Sequence, residues 1–82
     1  MEIKVFQNRI ILWVRGNPSP YPEEQEQIEN FVKLLASHGI EFTVGKQETL
    51  KESNVNYGVH TINVVHLHFD DVNFTAYKLI KD

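Results

Sequence analysis

Cysteine is absent from this 82-residue chain. That removes disulfide frameworks, thiolate metal sites and thiol redox cycles from the chemistry it can perform. An excess of basic residues is missing as well: eight Lys and Arg stand against eleven Asp and Glu, for a formal charge of -3 and a pI near 5.7. The basic residues are scattered from Lys4 to Lys81, whereas phosphate backbones are held by clustered Lys and Arg, so no nucleic-acid partner is expected. No apolar run approaches the roughly 20 residues of a membrane helix, and MEIKVFQNR lacks the basic, apolar, small-residue order of a leader peptide. The expectation is therefore a soluble cytoplasmic protein with no membrane partner. No repeat, low-complexity tract or linker divides the sequence, so residues 1–82 read as a single domain, and 41% hydrophobic content suits one small core.

Ile3 to Phe6 and Arg9 to Val14 are apolar segments separated by Gln7-Asn8. They predict either one kinked strand or a hairpin with Asn8 in the left-handed turn position. The unbroken run Ile10 to Val14 suggests a main strand covered on both faces. Gly16-Asn17-Pro18-Ser19-Pro20-Tyr21-Pro22 ends it, because each proline fixes φ and removes a backbone donor. Prolines are accepted in the first turn of a helix, which predicts a helix from about residue 20 to 22 with Ser19 as N-cap and Pro20 in the first helical position. Ile28, Phe31, Val32 and Leu35, with Leu34 beside them, draw its apolar stripe, and Glu29 and Lys33 form an i,i+4 pair on the wet side. Gly39 suits the left-handed residue after the helix, with Ile40 folding back on Leu35.

Ile40, Phe42 and Val44 alternate with polar neighbours, as in a strand with one buried face. After a helix and a short turn it is expected to run parallel to the first main strand, as a βαβ unit. QETLKESNVNY, residues 47 to 57, reads as a short second helix with Leu50 and Val55 turned inward, ended by Gly58. Val59 to Phe69 and Val72 to Ile80 read as two strands joined by a turn at Asp70-Asp71.

Ser19-Pro20-Tyr21-Pro22 at the start of the predicted helix resembles the C-P-Y-C motif of glutaredoxins, in the thioredoxin-like superfamily. Ser37-His38-Gly39-Ile40-Glu41-Phe42 is similar to the family's passage from that helix to its next strand. Thr61-Ile62-Asn63 stands where the family places T-V-P, with Asn63 in place of the proline, and Asp70-Asp71-Val72 has no counterpart of its Gly-Gly turn. Leu12-Trp13-Val14 with Gly16-Asn17 resembles the opening of KaiB-type proteins, a protein-binding branch of the same superfamily. The resemblance implies an α/β domain of thioredoxin-like architecture, a βαβ unit followed by a short helix and a ββ hairpin in a mixed sheet.

With serine and proline where the family has cysteines, redox catalysis is not expected. A helix N-terminus can bring a thiol into the neutral range, but a serine hydroxyl is far too basic for the same help. No G-x-S-x-G elbow or triad supports Ser19 as a nucleophile. The expectation is a non-enzymatic protein-binding module without a cofactor. Its partner is another protein, engaged through Asn17, Ser19, Pro20 and Tyr21 with Thr61 and Asn63, or through a free sheet edge. A small, cysteine-free derivative of a redox fold suits a viral modulator of a host protein. Two rival functions are carried. His66 and His68 share one strand face about 6.5–7 Å apart along the backbone, with His60 and Asp70 of the same parity, and such a pair holds zinc when a third ligand converges. The resemblance also implies a glutathione-binding protein without redox activity.

Overall fold

Asn8 decides the first half of the sheet. In the computed structural model, which describes residues 1–54 and 58–81, its φ is 59°. Asparagine tolerates this left-handed region at low cost, so the chain reverses there. The result is a hairpin of β1 (Glu2–Phe6) and β2 (Arg9–Gly16), with Phe6 opposite Arg9. The kinked single strand is not formed.

Along β2, Ile10, Leu12 and Val14 are buried while Ile11, Trp13 and Arg15 are half-buried. The apolar run therefore does not mark a strand covered on both faces. Only its even-numbered side lies under the helices.

Helix α1 (Pro22–Ser37) starts within the range the prolines predict, at its last residue, but with different residues at its cap and first position. Tyr21 is the N-cap residue and supplies no side-chain cap, while Pro22 occupies the first helical position. Ser19 cannot be the cap because residues 16 to 20 still turn back on themselves. The Asn17 N–H donates to the Ser19 carbonyl at 3.0 Å, Gly16 bridges Pro20, and the Tyr21 N–H donates to Arg15 O at 3.1 Å. The buried stripe is also rotated: it runs through Glu24, Phe31 and Leu35, with Ile28 partly buried, whereas Val32 and Leu34 remain 39% and 43% exposed. Glu24 belongs in it because its carboxylate accepts from the Arg15 N–H at 3.3 Å and pairs with the Met1 ammonium. Glu29 accepts from Gln25 rather than serving Lys33. The helix ends as its sequence predicts. Gly39 has φ 67°, the Gly39 N–H donates to Ala36 O, and the Ile40 N–H donates to Leu35 O, each at 3.0 Å.

Residues 47 to 54 are not helical. They belong to β3 (Thr43–Asn54), which pairs antiparallel with β4 (Gly58–His68) from Thr43 opposite His68 to Asn54 opposite Gly58. The helix-forming Gln, Glu, Leu and Lys of this stretch yield to an eleven-residue strand offering backbone partners. Leu50 is exposed, and Val55 lies outside the described residues. Ile40 and Phe42 precede the strand instead of starting it, and Val44 points to solvent.

After β4 the chain forms a second helix, α2 (Asp71–Lys81), where the sequence reading expects a strand. Asp70 does not turn a hairpin; its Oδ1 accepts from the Asn73 N–H at 2.7 Å and caps the first turn. Phe74 and Tyr77, three apart, face the core.

The sheet order is β1-β2-β4-β3, with every neighbouring pair antiparallel. Strands β2 and β3 point the same way, but β4 lies between them. The expected thioredoxin-like βαβ unit of adjacent parallel strands is thus overturned, and the described residues form a small α+β domain of four antiparallel strands and two helices. Both helices cover one face of the sheet, where Phe31, Leu35, Phe74 and Tyr77 meet Ile10, Leu12, Val14 and Leu67. Phe31 and Tyr77 join the helices edge to face at 6.2 Å. Among the described residues no helix is long and apolar enough to cross a membrane.

Two measurements test this arrangement. Leu35→Ala should cost about 2–5 kcal/mol in urea unfolding, as for a large aliphatic removed from a close-packed core, while Leu34→Ala should stay within about 0.5 kcal/mol. Equal losses would mean the stripe has the orientation read from periodicity. The second concerns pH. The Asn73 backbone N–H, then its side-chain amide, hold the Asp70 carboxyl below its ordinary value of 3.8. A depressed folded-state value means this contribution is present above the ordinary value and is lost as pH falls through the lower one. The first turn of α2 should loosen in that acidic window, read from the Asn73 amide resonance, and Asp70→Ala should abolish the transition.

Candidate functional site

Gly16 closes β2 at a point where a side chain has no room: a Cβ there would collide with the Ser19 carbonyl. Glycine lets residues 17 to 20 fold over the sheet. The Asn17-Pro18 peptide in this loop is cis. The loop is then fastened from β4. The Thr61 hydroxyl lies 3.0 Å from Gly16 O and 3.2 Å from Pro18 O, so its one proton is shared between them. The Asn63 Nδ2 donates to the same Pro18 carbonyl at 3.1 Å. The Thr49 hydroxyl donates in turn to Asn63 Oδ1 at 3.4 Å, which links β3, β4 and the loop.

Between this loop, α1 and the sheet lies a cleft of about 360 Å³, lined by Val14, Pro18, Ser19, Pro20, Ile28, Gln47, Asn63 and Val65. Its walls are apolar, and its polar side chains are one hydroxyl and two amides. No ionisable side chain is among them. Such groups can donate and accept hydrogen bonds at once, but at neutral pH they neither gain nor release a proton. The arrangement suits binding of an uncharged group.

Of the site residues expected from sequence, Ser19, Pro20 and Asn63 line the cleft, and Thr61 holds its loop from beneath. Asn17 is exposed at the start of the loop. Tyr21 is half-buried and turns into α1, its carbonyl accepting from the Gln25 N–H at 2.8 Å. Gln47 was not anticipated, since its stretch reads as helix. Val65 was open to discovery: it lies two residues beyond Asn63 on the same strand face.

The histidines are placed differently. His66 and His68 lie on the opposite face of the sheet, across from Ile11 and Arg9, with ring centroids 6.5 Å apart and planes within 16°. His68 lies against Gly45, where a Cβ would strike the imidazole, next to the irregularity in β3 between Val44 and Gln47. His60 is buried on that face, its Nε2 3.7 Å from a Glu52 carboxylate oxygen. Asp70, predicted to share the face, has left the strand to cap α2. Among the described residues no group of three or more His, Asp or Glu is gathered for a metal ion.

Compared with protein-family models, curated proteins and solved structures, the chain matches none. The reading of its function therefore rests on the cleft itself.

If Asn63 and Thr61 fasten the loop, Asn63→Ala should cost about 0.5–1.5 kcal/mol, the net value of a hydrogen bond. It should also speed hydrogen exchange at the Asn17 and Tyr21 amides while leaving the α1 interior unchanged. Unaltered exchange at both amides would show that the loop holds its shape without Asn63.

Proposed function

We propose that this protein is a non-catalytic protein-binding module whose working surface is the cleft between the 17–20 loop, α1 and the helix-side face of β3 and β4. The supporting observation is the loop's attachment: Thr61 and Asn63 hold the Pro18 carbonyl from the neighbouring strand. Two prolines in a loop held this way lose little conformational freedom when a partner arrives, and that loss is a main cost of association. The lining supports a protein partner over a charged metabolite. Apolar walls from Val14, Pro18, Pro20, Ile28 and Val65 accept an apolar side chain, and the Gln47 and Asn63 amides match peptide groups. A glutathione-sized anion would bring carboxylates to a cleft with no cation in its lining.

Affinity capture with the whole chain, followed by mass spectrometry, tests the assignment. A partner bound by the wild type should be lost, or weakened at least about tenfold, by Val65→Asp, which buries an unpaired charge against it. Tyr21→Ala should weaken it less, and Leu34→Ala on the far side of α1 should leave it unchanged. Retention of the partner by Val65→Asp, with the fold intact by circular dichroism, would place binding elsewhere.

A further inference from the structure

The cleft opens beside β3, which is an end strand of the sheet and pairs only with β4 among the described residues. An end strand carries backbone N–H and C=O groups that an extended chain can complete. Proteins normally blunt such edges, and the first part of β3 is blunted by Lys46 and by the irregularity between Val44 and Gln47. Past that point the strand runs regularly from Gln47 to Asn54. The other end strand, β1, has five residues against twelve in β3.

The two faces of β3 differ in chemistry. Gln47, Thr49 and Lys51 lie opposite Val65, Asn63 and Thr61 and share the cleft side of the sheet. Glu48, Leu50 and Glu52 lie opposite Val64, Ile62 and His60 on the helix-free side. The two carboxylates are four residues apart, about 13 Å along a strand, with the exposed Leu50 between them; Glu48 lies 3.2 Å from the exposed Lys46 ammonium and Glu52 3.7 Å from His60, contacts with which an incoming base competes. A strand laid against β3 would therefore meet an uncharged surface on one side up to Lys51, and an acid, apolar, acid row on the other.

We infer that the module's partner presents an extended segment that adds to the edge of β3 beyond the bulge, carrying basic residues four apart with apolar residues between them. This inference rests on the cleft being the working surface, and it assigns the partner's chemistry there. Basic side chains at that spacing pair with Glu48 and Glu52. An intervening apolar residue covers Leu50, and those on the alternate face pass Gln47 and Thr49 towards the cleft. Main-chain hydrogen bonds supply affinity, and the side-chain alternation supplies register.

The test uses the isotope-labelled full chain and the peptide Lys-Thr-Leu-Val-Lys-Val, acetylated and amidated, against the same peptide with Glu for both Lys. The lysine peptide should shift the amides of residues 47 to 53 and slow their exchange. It should bind about tenfold more tightly than the glutamate peptide at low salt, a preference that falls as salt rises. Glu48→Lys with Glu52→Lys, which keeps a long aliphatic stem at each partly exposed position, should reverse the preference. Absence of shifts in β3 at millimolar lysine peptide, or equal binding of both peptides, overturns the inference. So does concentration-dependent perturbation of β3 without peptide, which would put a second copy on the edge. If the peptide fails but capture of a partner still depends on Val65, the cleft remains the working surface and only the partner's chemistry is wrong; failure of both removes the module reading.

Discussion

Strand β4 is the constraint on which the rest of the structure depends. It has a neighbour on each side, β2 along Gly16 to Arg9 and β3 along Asn54 to Thr43, so both rows of its backbone groups are engaged. An isolated hairpin is marginal in water, and the β1–β2 and β3–β4 pairs each need a third strand to become a stable sheet. Because β4 inserts between β2 and β3, each hairpin gains that neighbour in one step. The same insertion separates the two strands that α1 connects, which is why a strand-helix-strand sequence yields here an antiparallel sheet.

Once β4 is central, its side-chain alternation distributes the chemistry. Thr61, Asn63, Val65 and Leu67 face the helices, Leu67 in the core and Asn63 and Val65 at the cleft. His60, Ile62, Val64, His66 and His68 face away from them. Polar residues on the helix side are tolerated at 61 and 63 because carbonyls of the 16–18 loop receive their hydrogen bonds.

The parts of the fold legible in the sequence are those with local causes. Asn8 announces its turn because few other residues accept a positive φ, and Gly39-Ile40 announces the helix end for the same reason. The α1 body and β4 are long enough for pattern to speak. What misleads is competition between local preference and a distant partner. Residues 47 to 53 prefer helix weakly, yet β4 draws them into a ladder. In residues 72 to 80, Val, Phe, Thr, Tyr and Ile suggest a strand, yet Asp70 caps a helix and the Phe74–Tyr77 spacing seats it on the core. The resemblance carried by Ser19-Pro20-Tyr21-Pro22 fails as a guide to topology because four loop residues do not determine which strands pair. The two segments it singled out are nonetheless in contact: loop 17–20 and Thr61–Asn63 meet, held by a carbonyl at Pro18 that no side-chain motif advertises.

The face without helices has its own logic. Ile62 and Val64 are only 4% exposed, although among the described residues no helix layer covers them. Their shelter comes from taller neighbours across the strands: Arg15 and Leu50 beside Ile62, and Trp13 and Glu48 beside Val64. Long side chains do this with their aliphatic stems while their charged ends stay hydrated. On that side the reach of a residue matters more than the sign it carries. A lineage of this protein could exchange one long charged side chain for another and remain dry beneath, whereas shortening it would let water onto the two branched residues at the middle of the sheet.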